Sequence, residues 1–239
     1  MIKFSDIKIV LLETSHPGNI GSVARAMKTM QFSELHVVNP LCEINDISFA
    51  MASNARDILE SAKVSKNLNI VLKDCNFVVG TTARQRDIPI EIINPKKLAD
   101  NIEKHQYGKI AILLGNESRG LTNDQLSKCN IGCHIPSNKA YTSLNIASSL
   151  QIILYEILMK SNADMSNINK IDKKNLAKHD KFAAFLEHTD KVLKDINFVK
   201  DNRPTISRKI QHIFKKADLT EEEINILRGI LSAIENHSQ

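Results

Sequence analysis

The sequence has no long apolar segment. Its longest apolar runs, such as residues 110–114 and 152–155, fall far short of the roughly 20 residues that a membrane-spanning helix needs. The first residues also lack the basic, apolar and small-residue series of a signal peptide, because Lys3 and Asp6 flank the first apolar run. We therefore expect a soluble, cytoplasmic protein.

Cysteine is scarce as well. The four cysteines are Cys42, Cys75, Cys129 and Cys133, and they are scattered along the chain. In an intracellular protein such residues are ordinarily buried thiols, so we expect no disulfide. The spacing of Cys129, Cys133 and His134 matches no zinc-binding pattern, and we expect no bound metal.

Several familiar signatures are missing. The glycines do not form the dinucleotide fingerprint or the phosphate loop with its Lys-Ser/Thr, which argues against a nicotinamide enzyme and a nucleotide hydrolase. No Gly-x-Ser-x-Gly elbow is found, so a serine hydrolase is not expected. The chain also has no internal repeat and no low-complexity tract.

Strand and helix patterns alternate through the first two thirds of the chain. Short apolar runs predict strands at residues 7–12, 35–38, 76–79 and 110–114, with a further strand around 132–135. Helical patterns lie at residues 20–30, 49–62, 95–104, 122–127 and 144–159. This alternation predicts an α/β fold with a parallel sheet.

The remaining residues have a different character. Residues 161–174 show no apolar periodicity and are rich in Asn, Asp and Lys, which is typical of a linker. Amphipathic helices follow at about 175–194, 205–216 and 220–236. The sequence thus predicts an α/β domain over 1–160, a linker over 161–174 and a small all-helical domain over 175–239.

The charge of the chain permits an anionic partner. The formal net charge is +5, and the pI is near 8.9. The densest basic stretch holds Lys200, Arg203, Arg208, Lys209, Lys215 and Lys216, opposed only by Asp201. This stretch fits two interpretations: a face that contacts RNA phosphates, or an ordinary solvated helix surface.

Three polar segments at residues 16–25, 114–121 and 135–145 each follow an apolar run. In an open α/β sheet this edge is where ligands bind. Taken singly, each segment also has an ordinary structural interpretation. Asn19 would cap a helix, Glu117 would face a helix dipole, and Ser143 would be an N-cap residue.

Together, the three segments resemble the three motifs of the SpoU branch of the SPOUT RNA 2′-O-methyltransferases. The pattern is Asn19 and Arg25, then Gly-Asn-Glu-x-x-Gly-Leu at 115–121, then Ser-Leu-Asn at 143–145 before a helix. Residues 13–16, 38–40, 80–84 and 225–229 are further similar to the members that modify cytidine or uridine 32 of bacterial tRNA.

The resemblance implies a SPOUT fold in which the carboxyl-terminal part of the sheet domain forms a deep trefoil knot, a rare exception to unknotted connections. It implies that the knot binds S-adenosylmethionine, that the knotted domain forms a homodimer, and that tRNA is the substrate. The implied cofactor-binding residues are Thr81, Thr82, Ala83, Gly115, Glu117, Gly120, Ile135, Thr142, Ser143 and Leu144.

The resemblance also implies residues for catalysis and RNA binding. The implied catalytic residues are Arg25, Asn19, Ser143, Glu117 and Asn145, with Arg25 in the activating role. RNA contacts are expected from Arg25, Arg84, Arg86, Arg208 and Lys209. The rival hypotheses are an enzyme of this fold that acts on another tRNA position or on ribosomal RNA, and an RNA-binding relative without activity.

Overall fold

The structure is a computed structural model that describes residues 3–83, 90–105, 107–138, 140, 142–163, 176–199 and 204–237. Its strands are β1 (Ile7–Leu12), β2 (Leu35–Val38), β3 (Lys63–Ser65), β4 (Phe77–Thr81), β5 (Ile92–Ile93), β6 (Ile110–Leu114) and β7 (Ile131–Cys133). Its first seven α-helices are α1 (Pro17–Thr29), α2 (Asp46–Ala52), α3 (Arg56–Glu60), α4 (Leu68–Leu72), α5 (Pro95–His105), α6 (Asn123–Ser127) and α7 (Ile146–Ala163). Three more follow: α8 (His179–Asp195), α9 (Pro204–Lys216) and α10 (Glu221–His237).

The seven strands form one sheet in the order β3-β2-β1-β6-β4-β7-β5, and every pairing is parallel. This confirms the predicted α/β class. The bounds of β1, β2 and β6 coincide with the predicted apolar runs. All carboxyl ends of the strands therefore lie at one edge of the sheet, as parallel pairing requires.

Apolar side chains leave both faces of the sheet, as the pattern of β1 shows. Ile7, Ile9 and Leu11 pack into the core beneath α1, α5 and α7, whereas Val10 and Leu12 pack into a second core beneath α4 and α6. Successive residues of a strand point to opposite faces, so a nearly continuous apolar strand must be covered on both sides.

Lys8 lies within β1 and is only 5% exposed. Its ammonium donates to a carboxylate oxygen of Asp74 at 2.5 Å and to the carbonyl of Val71 at 3.2 Å. Lys109 binds the other carboxylate oxygen of Asp74 at 2.9 Å. The buried charge is therefore paired, as burial of an ammonium group requires.

The predicted helix at 49–62 is wrong as a single element. The first helix, α2, ends at Ala52, and Ser53 has a φ of 52°, a left-handed conformation that interrupts regular helical geometry. The turn lies where α1 and α2 come close together. An ideal Cβ built on Gly21 would be 2.1 Å from the carbonyl oxygen of Ser48, so only glycine permits this approach.

The carboxyl-terminal helices α8, α9 and α10 have their own apolar cluster around Ala177, Phe185 and Ile224. The cluster borders the sheet domain, since the backbone N–H of His179 donates to the carbonyl of Cys75 at 2.8 Å. Residues 164–175, which include most of the predicted linker, lie outside the described residues, so the proposed domain limits stay predictions. The trefoil knot also stays a prediction. Among the helices of the described residues, none is long and apolar enough to cross a membrane.

Candidate functional site

A cavity of about 350 Å³ opens at the carboxyl ends of β4, β6 and β7. All ten residues that the resemblance assigns to cofactor binding line it, together with Asn19 and Asn145. Apolar lining comes from Leu114, Leu121, Cys133, Ile135, Leu144, Ile146 and Ile153. The structure thus brings the three polar segments to one place, although up to 126 residues separate the side chains that meet there.

Glu117 joins the second segment to the first. One of its carboxylate oxygens accepts from the Nδ2 of Asn19 at 2.9 Å. The other accepts from the backbone N–H of Ser15 at 3.0 Å and from the Ser15 hydroxyl at 2.8 Å. Parallel pairing of β1 with β6 makes this contact possible, because the residues that follow the two strands meet at the same sheet edge.

The environment of Glu117 keeps it ionised. Burial alone would raise the pKa of its carboxyl, but hydrogen bonds from Asn19, from its own backbone N–H and from Ser15 together lower the pKa below the usual 4.5. A carboxylate that accepts several hydrogen bonds is held in one orientation. Glu117 therefore fixes the amino end of α1 relative to the loop after β6.

Asn145 joins the third segment to the same network. Its Nδ2 donates to the Oδ1 of Asn19 at 3.3 Å, and its Oδ1 accepts from the backbone N–H of Ala147 at 2.9 Å. Asn145 is thus the residue that caps α7, which begins at Ile146. The alternative that Ser143 is the N-cap is wrong, and its side chain lines the cavity.

The loop from Gly115 to Leu121 folds back tightly on itself. An ideal Cβ on Gly115 would be 2.2 Å from the carbonyl carbon of Gly120 and from the nitrogen of Leu121, so no larger residue fits there. Gly120 has a φ of 69°, which glycine adopts readily. Its N–H donates to the carbonyl of Asn116 at 2.8 Å.

Glu13 holds this loop from the end of β1. Its backbone carbonyl accepts from the Nδ2 of Asn116 at 2.8 Å. Its carboxylate pairs with Arg119 and accepts from the Nε2 of Gln125 at 3.4 Å. The φ of Glu13 is 53°, an uncommon value for a residue other than glycine. Glu13 therefore contacts the loop at two residues, Asn116 and Arg119, and the following helix α6 at Gln125.

Thr81 and Thr82 form another wall of the cavity, at the end of β4. The Thr81 hydroxyl donates to the carbonyl of Leu113 at 3.0 Å. The backbone N–H of Thr82 donates to the carbonyl of Cys133 at 2.9 Å, and its carbonyl is 3.0 Å from the Nδ1 of His134. These contacts bind β4 to both neighbouring strands, β6 and β7.

The residues predicted to contact RNA are not all at this cavity. Arg25 is exposed on α1, does not line the cavity, and forms no side-chain hydrogen bond or ion pair with the described residues. Arg208 and Lys209 are exposed on α9. Arg84 and Arg86 lie outside the described residues.

The motif resemblance assigns no site role to Ser15, Glu13 or Asn116. All three follow strands at the carboxyl edge of the sheet, which is the signal that pointed to their neighbours. What the sequence did not reveal is that β1 and β6 are adjacent, and this adjacency makes Ser15 a partner of Glu117.

The fold and the cavity define a class of protein: a parallel α/β protein whose site lies at the carboxyl edge of the sheet, with a helical extension. Residues 6–155 match the SpoU rRNA Methylase family, and residues 180–239 match the carboxyl-terminal domain of the tRNA methyltransferase TrmJ. The chain belongs to the SpoU methylase family, which confirms the resemblance predicted from its motifs.

Individual relatives match over nearly their whole length. The chain is 38% identical to tRNA (cytidine/uridine-2′-O-)-methyltransferase TrmJ of Sodalis glossinidius, over 98% of this chain and 92% of that protein. The crystal structure of TrmJ from Z. mobilis ZM4 has a TM-score of 0.82 at 28% identity and covers 95% of this chain and 98% of that one. A probable methylase family protein from Haemophilus influenzae Rd KW20 has a TM-score of 0.65 at 36% identity and covers 98% of each chain.

Proposed function

We propose that this protein transfers a methyl group from S-adenosylmethionine to the ribose 2′-oxygen of cytidine or uridine 32 in the anticodon loop of tRNA. The observation that carries the proposal is the meeting of the three motif segments around one cavity, where Glu117, Asn19 and Asn145 form a single hydrogen-bonded network. Action on tRNA implies a cytoplasmic enzyme.

The cavity suits S-adenosylmethionine. A volume of about 350 Å³ lies in the range of small-molecule sites. The apolar side chains of Ile135, Leu144 and Ile146 suit an adenine ring, while the hydroxyls of Thr81 and Ser143 suit polar groups. The clearance that Gly115 provides lets the backbone of the loop fold tightly beside the ligand. When bound, the cofactor would supply the electrophilic methyl group.

In the proposed reaction, a bond forms between the ribose 2′-oxygen and the methyl carbon, the carbon–sulfur bond breaks, and the hydroxyl proton is lost. The protein must align the hydroxyl and stabilise negative charge that develops on its oxygen. We assign this stabilisation to Arg25, whose guanidinium would bind the target phosphate and the 2′-oxygen together. Arginine stays protonated in proteins, so the proton would leave to a phosphate oxygen, to water or to Ser143.

The supporting residues of the site act by position. Glu117 is fixed by Ser15 and in turn holds Asn19, and Asn145 holds Asn19 from the other side. We propose that these contacts keep the loop after β6 and the start of α7 in register around the cofactor. Preorganisation of this kind removes a reorganisation cost from the reaction itself.

The choice between tRNA and ribosomal RNA depends on the carboxyl-terminal helices. The family that matches residues 6–155 is named as an rRNA methylase family, but residues 180–239 match the carboxyl-terminal domain of a tRNA methyltransferase. A tRNA substrate accounts for both matches. Ribosomal RNA is the second candidate, because the motif residues define the reaction and not the RNA.

The test is to incubate the protein with labelled S-adenosylmethionine and unmodified bulk tRNA, and to map the product by nuclease digestion and mass spectrometry. We expect a single 2′-O-methyl group at nucleotide 32. Methylation at another tRNA position, or of ribosomal RNA alone, would contradict the proposed substrate and keep the reaction. Binding of cofactor without transfer to any RNA would support the inactive relative.

We also propose a homodimer through the sheet domain. The outer side of α7 carries Ile152, Tyr155 and Met159, which are 38%, 47% and 48% exposed. Their spacing places them on one stripe, and an exposed apolar stripe marks an interaction surface. We expect light scattering to give a dimer for the wild type and a monomer for Tyr155→Lys. The matched control is Ile226→Lys on α10, which should remain dimeric; a monomeric wild type would contradict the proposal.

A dimer would also explain the position of Arg25. The helix that carries it, α1, packs against α7, so a partner bound to α7 comes near the exposed side of α1. Mixing Arg25→Ala protein with Gly115→Val protein tests whether Arg25 serves the cavity of the other copy. Regained activity in the mixture means that it does, whereas an inactive mixture means that each Arg25 serves its own cavity.

A further inference from the structure

A second and larger cavity, of about 490 Å³, lies between the sheet domain and the carboxyl-terminal helices. We call it the junction cavity. One side is formed by residues that precede β4 and follow α6, and the other by α8 and α9. It shares no lining residue with the cavity at the motif segments. Nothing in the proposed methyl transfer uses it.

Three basic side chains line the junction cavity, and only one of them, His179, has a carboxylate acting on it, that of the adjacent Asp180. Lys128 follows α6, His179 begins α8, and Lys215 lies in the last turn of α9. Within the described part of the chain, none of the three forms a side-chain hydrogen bond or an ion pair. They come from three separate elements, so the fold itself brings them together.

Burial, with a smaller effect of neighbouring lysines, lowers the pKa of both His179 and Lys215. Burial lowers the pKa of His179 to about 4; Lys128 and Lys215 act in the same direction, and Asp180 opposes them. Burial lowers the pKa of Lys215 to about 8, again with Lys128 in the same direction. An anion placed among them would raise the pKa of these groups and so oppose the effect of the neighbouring positive charges. These shifts support the grouping that the geometry already shows.

The acidic groups at this cavity do not neutralise the three. Asp190 accepts from the Ser207 hydroxyl at 2.6 Å and pairs with Lys194 at 3.1 Å. Lys191 is likewise occupied, because it pairs with Glu235 at 2.9 Å. The other acidic lining residues are Glu187 and Asp218. Neither of these two forms an ion pair with Lys128 or Lys215, so the two lysines are the cationic part of the cavity, and the imidazole of His179, which is neutral at neutral pH, adds a hydrogen-bonding group beside them.

Aromatic rings form a further part of the lining. Phe182 and Phe214 both line the cavity and are partly exposed. Phe185 lies behind them, with its ring centroid 6.2 Å from that of Phe182 and 4.9 Å from that of Phe214. A fixed phenyl ring beside cations is the arrangement by which proteins stack a nucleobase and bind its phosphate.

We propose that the junction cavity binds a nucleotide, with its phosphate at Lys128, Lys215 and His179 and its base against Phe182 and Phe214. The bound nucleotide would be an unpaired nucleotide of the substrate RNA, and this choice of source rests on the proposed function. A free mononucleotide has the same chemistry and is the other source.

A neighbouring cavity extends the basic surface. Its volume is about 220 Å³, and it shares Ser127, Gln211 and Lys215 with the junction cavity. It adds Arg208 and His212 from α9, together with one acidic residue, Asp124 of α6. A strand that leaves the junction cavity would meet these side chains next. This continuity favours an RNA chain over a free nucleotide. Lys215 lines both cavities, so it lies at the junction and not on the fully exposed face of α9.

The test compares the full-length wild type with Lys128→Met/Lys215→Met, Phe214→Leu and the matched control Lys181→Met, whose lysine is exposed on α8 and does not line the cavity. Removing two neighbouring cations that repel each other should leave the melting temperature unchanged or raise it, so the double variant should fold. Two probes are used: unmodified tRNA over a range of salt concentrations, and cytidine 5′-monophosphate alone.

We expect the double variant to bind tRNA about tenfold more weakly, with a salt dependence shallower by roughly one to two charges. Phe214→Leu should weaken binding at least fivefold with an unchanged salt dependence. Loss of cytidine monophosphate binding in the double variant, with tRNA binding unchanged, would identify a free nucleotide as the source and overturn the RNA source. If both probes bind all four proteins equally, or bind none of them, the nucleotide site does not exist.

Methyl transfer to tRNA is measured separately with the wild type. Failure of transfer would overturn the proposed function, while the mononucleotide arm would still decide whether the junction site exists. Normal transfer with equal tRNA and mononucleotide binding by all variants would overturn only the junction site.

Discussion

Glu117→Gln is the change that tests the hydrogen-bonded network most directly. The carboxylate accepts hydrogen bonds at both oxygens, from Asn19 on one side and from Ser15 on the other. An amide offers one acceptor atom and one donor atom, so its NH₂ group would face a donor of either Asn19 or Ser15. Rotating the Asn19 amide does not help, because its Oδ1 already accepts from Asn145.

The expected loss of activity follows from the number of hydrogen bonds removed. A hydrogen bond to a charged group contributes about 1.5–3 kcal/mol, and the substitution removes at least one. If the loss is felt fully in the transition state, kcat/KM for tRNA falls by about 10- to 160-fold. The matched control is Glu60→Gln, the same chemical change at an exposed carboxylate at the end of α3, which should retain wild-type kcat/KM.

A compensating change can restore the pattern of donors and acceptors. In the double variant Glu117→Gln/Asn19→Asp, the oxygen of the new amide can accept from Ser15 while its nitrogen donates to the new carboxylate. The other oxygen of that carboxylate can accept from Asn145. The double variant should therefore recover most of the activity that the single variant loses, as a double-mutant cycle would report. Near-wild-type kcat/KM in Glu117→Gln would refute the positioning role; a severe loss without recovery would show that Glu117 acts on the ligand itself.

Three further predictions concern separate parts of the molecule. Gly115→Ala places a Cβ 2.2 Å from the backbone at Gly120, and calorimetry should show weaker cofactor binding and a melting temperature lower by about 2–10 °C. Arg25→Lys keeps the charge but loses the planar fork, so kcat should fall on the order of 100-fold with unchanged cofactor affinity; near-normal kcat would contradict its role. Although burial opposes it, hydrogen bonds from Lys8 and Lys109 lower the pKa of Asp74 to about 2. The contribution of the ionised Asp74 to stability is complete above about pH 4 and is lost as the pH falls towards 2. Denaturant titrations at neutral pH should therefore find the wild type about 1–2 kcal/mol more stable than Asp74→Asn, after allowance for solvent screening. This difference in the free energy of unfolding should close on acidification.

Local patterns were sufficient for much of the fold. Short apolar runs indicated the bounds of β1, β2 and β6, and the helical pattern at 122–127 coincides with α6, which Thr122 caps through the hydrogen bond from the N–H of Gln125 to its hydroxyl at 3.2 Å. The short strands β3 and β5 were missed, because two or three residues are too few for a periodic pattern to show. Their pairing depends on neighbouring strands and not on their own residues.

The candidate site shows the same limit at the level of side chains. Sequence motifs indicated Asn19, Glu117 and Asn145 as residues of the reaction, and the structure shows them bonded to one another, so most of their hydrogen-bonding capacity is already used. Among the described residues, Arg25 and Ser143 have no such side-chain partners. The motifs contain residues with side-chain partners and residues without them, and the sequence alone does not tell the two kinds apart. The contacts do distinguish them: Asn19, Glu117 and Asn145 hold one another, as the proposed positioning role requires, whereas the side chains of Arg25 and Ser143 keep the donors and acceptors that the proposed binding of ribose and phosphate needs.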